Sequence, residues 1–366
     1  MAIPERVLLT ADSVGGVWTY AIELARGLSE RGTRIALATM GAPLSRGQGR
    51  EASCVRGLQV FETGFKLEWM PDPWEDVRRA GDWLLALTAS FQPDLVHLNQ
   101  YAFGSLPFGC PALVAGHSCV LSWWRAVRGG EPPPEWSRYR DAVASGLCAA
   151  DLVVAPTQAM LTALERHYGT LPRSTVIPNG CTVPKRKAAA KQSIVFAAGR
   201  LWDEAKNLAA LEQVATDLPW PVYVAGELHH PAGSAGRCSA CRPLGKLSAR
   251  QVGLWMERAA IYALPARYEP FGLSALEAAL RGCALILGDI PSLREVWEDT
   301  AIFVPPDDRD ALRDAALRLI ASPELRSRFA ARARSRALTF SASRMVDSYL
   351  RAYCAVLGCE TAVRHA

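Results

Sequence analysis

The chain has 366 residues, more than one hydrophobic core usually serves, so two domains are expected. Half of the residues are hydrophobic (50%) and 21% are charged, a balance that excludes a chain disordered throughout. The net charge of +5 is modest and comes largely from arginines after residue 310, not from a basic stripe interleaved with aromatics, which argues against nucleic acid as the main partner.

Short apolar runs alternate with amphipathic segments, the signature of β-α units around parallel sheets. Residues 6–10 read as a first strand, 12–16 as a glycine loop and 17–28 as a helix with apolar residues at helical spacing. Further strands are expected at 34–40, 94–98, 112–115 and 151–155, and residues 175–180 close this half with a strand and a turn. Residues 182–192, with Pro184, a basic run and an alanine cluster, read as an interdomain linker. The pattern restarts at 193–198 and continues at 221–225, 260–264 and 284–287, and a final helix is expected at 344–357. The expectation is therefore α/β: two doubly wound Rossmann-like domains facing a cleft, with ligand at the carboxyl ends of the strands. The domains would be 1–181, on the acceptor side, and 182–342, on the donor side, with 343–366 a helix packing back on the first. No apolar run reaches membrane-spanning length and residues 1–10 lack a signal-peptide core, so a soluble cytoplasmic protein with ten free thiols is expected.

The most informative stretch runs from Tyr268 to Glu277. Phe271, Gly272 and Leu273 fall where a helix begins, and first-turn N–H groups lack intrahelical acceptors, so this point should attract phosphate. Glu269 before it and Glu277 within the helix flank the same point; one carboxylate suits sugar hydroxyls and the other ribose hydroxyls. Arg200 and Lys206 lie six residues apart just past a strand end. A guanidinium fork and an ammonium placed there would stabilise charge on a departing diphosphate. The structural alternative is an ion pair of Lys206 with Asp203 or Glu204.

Together these segments resemble glycosyltransferase family 4, retaining enzymes of the GT-B fold. The resemblance covers nearly the whole chain: the Gly15-Gly16 loop, His117, Arg200 with Lys206, the Glu269-to-Glu277 motif and residues 282–306. It implies that Arg200 and Lys206 bind the donor diphosphate, that Glu269 contacts the donor sugar and Glu277 the ribose. It also implies that the amides near Phe271, Gly272 and Leu273 contact phosphate or sugar. The Gly15-Gly16 loop would approach the donor phosphate and the acceptor, and glycine permits that close approach. His117, just beyond the strand at 112–115, would contact the donor sugar or stabilise charge at its anomeric carbon. No carboxylate in the first half presents itself as a nucleophile opposite Glu269, and the resemblance implies front-side substitution with retention.

The expected activity is thus transfer of a hexose from a UDP-, GDP- or ADP-sugar to an acceptor hydroxyl on a glycan, a lipid-linked molecule or a small molecule, with no metal. Rivals are a sugar-nucleotide 2-epimerase, a non-catalytic sugar-nucleotide-binding protein and a nicotinamide oxidoreductase. The last fits poorly, because no acidic residue follows the second strand at Thr39-Met40-Gly41. His97 with Asn99, Gln100 and Tyr101 reads as lining for the acceptor pocket. Cys238 and Cys241 lie near His229 and His230 in a spacing that a structural zinc site would use, though a single cysteine pair favours no metal. Trp123, Trp124, Arg125 and Arg128 read as a packed segment before a peripheral contact with the inner membrane surface, and the arginines from Arg326 to Arg336 as a solvated basic face.

Overall fold

The computed structural model describes residues 3–184, 190–228 and 238–358. These fall into two compact units. The first comprises the described residues up to Trp124, Glu131–Gly180 and those from Ala342 on; the second comprises Arg125–Gly130 and the described residues of Cys181–Ser341.

The first unit is built on β1 (Arg6–Asp12), β2 (Arg34–Met40), β3 (Leu58–Glu62), β4 (Leu95–Leu98), β5 (Ala112–Ala115), β6 (Leu152–Ala155) and β7 (Ser174–Val176). All pairs are parallel and the order is β3-β2-β1-β4-β5-β6-β7. The inner strands are buried on both faces, which is why they read as continuous apolar runs. β1 continues past residue 10 to Asp12, which pairs with Met40, so the glycine loop begins only at Ser13. The edge strand β3 gives no clear sequence signal, because Gln59, Val60 and Glu62 are exposed and the apolar run is broken.

The helix Gly16–Glu30 starts from Gly15, whose φ of 87° is open to glycine but strained for other residues. Its apolar face lies on the sheet and against the last helix, Ala342–Val356. Gly27 permits that contact: a Cβ there would stand 2.4 Å from Val346 Cγ2. Arg31 secures it with an ion pair to Asp347 at 2.6 Å.

The second unit carries β8 (Gln192–Ala198), β9 (Val222–Ala225), β10 (Arg242–Pro243), β11 (Ala259–Leu264), β12 (Ala284–Gly288) and β13 (Ile302–Val304), again all parallel, ordered β10-β9-β8-β11-β12-β13. Separate apolar cores cover the two faces, one around Phe196, Tyr262 and Trp297 and the other around Val224, Ile261 and Leu319. In both sheets the strand order reverses, between β1 and β4 and between β8 and β11, and ligands of such folds bind at the carboxyl ends beside that reversal.

The arginines of the helix Pro323–Ala337 are only in part the solvated face expected from sequence: Arg328 is exposed, while four others make contacts within their own unit. Arg326 donates to Leu319 O at 2.6 Å and lies over Trp220, Arg334 donates to Leu280 O, and Arg336 donates to Val296 O and pairs with Glu298. Arg332 pairs with Asp299. These four cations tie the helix to carbonyls and carboxylates of its own unit. Among the described residues no helix is long and apolar enough to cross a membrane.

Candidate active site

In the second unit, β8 ends at Ala198 and the chain turns through Gly199 toward Arg200. The loop after β9 presses against this turn: a Cβ on Gly226 would lie 1.8 Å from Gly199 O, so only glycine fits. Asp203, 5% exposed, organises the turn from Arg200 to Lys206. Its Oδ1 accepts the Ala205 N–H at 3.0 Å, and its Oδ2 holds Arg200 Nη2 at 3.0 Å. The Arg200 guanidinium also lies 5.6 Å from the Trp202 ring, so two neighbours aim it.

Lys206 does not pair with Asp203 or Glu204, the local alternative. Its Nζ meets Glu269 Oε2 at 2.6 Å, with both side chains largely covered at 17% and 14% exposure. Asn207 makes this junction possible. It adopts φ 57°, ψ 44°, a left-handed conformation that asparagine tolerates better than most residues. Its Nδ2 donates to Pro265 O at 2.9 Å and Pro306 O at 2.7 Å, and Arg267 N–H donates back to Ala205 O at 2.9 Å. The loop after β8 is thereby stapled to the loop after β11.

The helix Leu273–Leu280 begins at Gly272, whose φ is 91°. Glu269 Oε1 accepts the Gly272 N–H at 3.0 Å. That corrects the expectation that this amide awaits an external anion: here the chain's own carboxylate occupies it. The amides of Leu273, Ser274 and Ala275 belong to the first turn, which has no intrahelical acceptors. The side chain of Phe271 is 2% exposed and packs edge-on against Phe340 at 5.6 Å, so it serves the core. Ser292 Oγ donates to Glu269 O at 2.6 Å and fixes the peptide behind the carboxylate. Glu277 sits in the same helix, half-buried, 3.6 Å from Arg281. Both Glu269 and Glu277 act electrostatically on the buried hydroxyl of Tyr262, which donates to Ala198 O at 3.1 Å. Arg200, Lys206, Glu269, Gly272 and Glu277 therefore gather around the carboxyl ends of β8 and β11.

The remaining candidates lie in the first unit. Gly15 and Gly16 are exposed at the head of the first helix, past β1. His117 follows β5, half-buried, with Nε2 2.8 Å from Asn99 Oδ1 and its ring edge-on to Tyr20 at a centroid distance of 4.3 Å. Burial pushes His117 down to about 4 and holds it neutral. His97 is not acceptor lining. It is fully enclosed, between Tyr353 Oη at 2.7 Å from Nδ1 and Tyr20 Oη at 3.2 Å from Nε2, and burial followed by His117 lowers it to about 3. Asn99, Gln100 and Tyr101 are also buried, at 7%, 3% and 3% exposure.

The loop carrying Cys238 and Cys241 wraps around a carboxylate of its own unit. The amides of Ser239, Ala240 and Cys241 all donate to the Glu212 carboxylate, at 2.8, 2.9 and 2.9 Å. Glu212 sits at about 2: burial works against that, and the three amides outweigh it. Among the described residues no group of three ligands could hold a metal ion; His229 and His230 lie outside the described residues. Sequence reasoning does not find Asp203, Asn207 and Ser292 as supports of the site. The αL-tolerant asparagine directly after Lys206 was the one signal that could have revealed part of this scaffold.

A family model described as Glycosyltransferase Family 4 fits residues 14–183, and one described as Glycosyl transferases group 1 fits residues 183–336. A glycogen synthase of Mycobacterium tuberculosis is 29% identical over 299 residues, spanning 76% of this chain and 67% of that protein. A D-inositol 3-phosphate glycosyltransferase of Xylanimonas cellulosilytica is 26% identical over 404 residues, spanning 94% and 93%. Among solved structures, sucrose-phosphate synthase from Thermosynechococcus elongatus aligns with TM-score 0.78 at 19% identity, covering 97% of this chain and 100% of that one. Anabaena HepE in complex with UDP-glucose aligns with TM-score 0.77 at 17% identity, covering 96% and 99%. At these identities the structural likeness speaks for the fold, which is GT-B.

Proposed function

Since the chain belongs to glycosyltransferase family 4, we propose that it moves a hexose from a nucleoside-diphosphate sugar to an acceptor hydroxyl with retention of configuration at the anomeric carbon. The observation that carries this reading is the Lys206–Glu269 pair, closed over the Gly272 amide at the strand-order reversal of the second sheet. On this reading the incoming diphosphate takes Lys206, Arg200 and the first-turn amides from Leu273 on. Glu269, released from Lys206, then accepts hydrogen bonds from the sugar hydroxyls, and Glu277 accepts them from the ribose. The Gly15-Gly16 loop approaches phosphate and acceptor, and His117 contacts the donor sugar.

The reaction breaks the bond between the anomeric carbon and the diphosphate oxygen. The acceptor oxygen bonds that carbon on the same face, and the acceptor proton passes to the departing diphosphate. Charge on the leaving group is met by one guanidinium, one ammonium and helix amides, groups fixed before the reaction begins. With that donor set a divalent cation is not needed to neutralise the diphosphate. UDP-glucose is named for the HepE complex and serves as a first donor to try; UDP-, GDP- and ADP-sugars are the class. The acceptor is a glycan, a lipid-linked molecule or a small molecule, and the protein works in the cytoplasm.

A thermal-shift screen over nucleoside diphosphates and their sugars tests the reading, because a ligand that binds the native state raises the melting midpoint. A rise with one diphosphate and its sugar, followed by acceptor-dependent release of that diphosphate, is expected. Epimerisation of the donor without acceptor would replace transfer by the isomerase reading.

A further inference from the structure

Asn99 lies just after β4 and its side chain has one orientation that satisfies its neighbours. Thr10, fully buried on β1, offers a carbonyl that can only accept, and the Asn99 Nδ2 donates to it. The backbone N–H of Asn99 donates to Thr10 Oγ1 at 2.8 Å, so the residue is held on Thr10 at two points. The amide oxygen is thereby turned to the other side, where it meets His117 Nε2 at 2.8 Å. An amide oxygen accepts and cannot donate, so Nε2 is the ring nitrogen that carries hydrogen. His117 is neutral, its ordinary value lowered by burial, and a neutral imidazole has a single N–H. Nδ1 then carries the lone pair. The edge-on Tyr20 ring fixes the plane of the imidazole, and Tyr20 is itself held by His97.

We propose that Asn99 is a positioning residue that locks His117 in its Nε2–H tautomer, so that Nδ1 meets the bound sugar as a hydrogen-bond acceptor. The inference rests on the reading of His117 as a donor-sugar contact. It deepens that reading into a preference: a hydroxyl at that point is accepted, while a carboxylate, as in a uronic acid, faces a lone pair and is turned away.

Long-range nitrogen–proton NMR of the full-length, ligand-free protein with labelled histidine decides the tautomer, with His117 assigned by its loss in His117→Gln. The expected spectrum at neutral pH has His117 protonated at Nε2, and Asn99→Ala shifts it toward a mixture of tautomers. A wild-type spectrum protonated at Nδ1 overturns the proposal, and so does an unchanged tautomer in a folded Asn99→Ala. The wild-type spectrum can overturn the proposal by itself if the variant does not fold. In transfer assays, Asn99→Ala is expected to lower kcat/KM about tenfold while affinity for the nucleoside diphosphate alone is kept. His117→Gln transferring at the wild-type rate would instead remove the sugar contact on which the inference rests, a result separable from the spectrum because the spectrum needs no substrate.

Discussion

Lys206 Nζ stands 2.6 Å from Glu269 Oε2 across 63 residues of sequence, and the other oxygen of the same carboxylate caps the Gly272 amide. One acidic group thus occupies both the cation and the helix start that a diphosphate would use. The site is electrostatically closed on itself, and a donor must displace an internal anion. Lys206→Ala and Glu269→Ala are each expected to reduce transfer by about 10²- to 10³-fold, the usual effect of losing a preorganised charge contact. Each should also lower the melting midpoint by leaving a largely covered charge unmatched, and the double variant should recover part of that loss. Wild-type rates in either single variant would discard the site.

Chelation tests the charge balance. Transfer is expected to be unchanged by EDTA, since Arg200, Lys206 and the helix amides carry the leaving charge. Activity lost to EDTA and restored by Mg²⁺ or Mn²⁺ would show that the donor set is insufficient.

Asn207 supplies both a left-handed turn and two donors to Pro265 O and Pro306 O. Asn207→Gly keeps the turn and loses the donors, at about 1 kcal/mol per hydrogen bond. The second unit should melt a few degrees lower, and kcat should fall because Lys206 is no longer held at Glu269. Asn207→Ala adds backbone strain and should melt lower still. Equal melting points for the two variants would assign the residue no conformational role.

Acid should destabilise the first unit in a defined window. His97 at about 3 and His117 at about 4 lie below the free value of 6.5, so the unfolded chain takes up protons before the folded one does. Stability is therefore full above about pH 6.5 and falls as the pH drops toward 4. Glu68 opposes this. Burial raises it to about 7 against the Ala102 and Tyr101 amides that donate to it, so its contribution is present at low pH and lost as pH rises through 7. Glu68→Gln should make the acid loss steeper between pH 7 and 5. Urea midpoints measured across that range check the sign, and a shallower slope in the variant would reverse it.

The inner strands and the Glu269–Glu277 motif were legible because burial on both sheet faces and a helix start leave local marks in sequence. Edge strands β10 and β13 were not, being two and three residues long. The partner of Lys206 was not legible either, since local spacing offered Asp203 and Glu204 while the fold offered Glu269. His97 looked like acceptor-pocket lining because it ends a strand; what encloses it, Tyr353, lies 256 residues away and no local pattern announces it.

That distance has a bearing on synthesis. Tyr349 and Tyr353 cover Tyr20 and His97, so the first half of the chain leaves the ribosome with an aromatic and imidazole surface unsheltered until the final helix emerges. The lobe made first is finished last, and a nascent chain stalled before residue 342 should be a target for chaperones rather than a half-built enzyme.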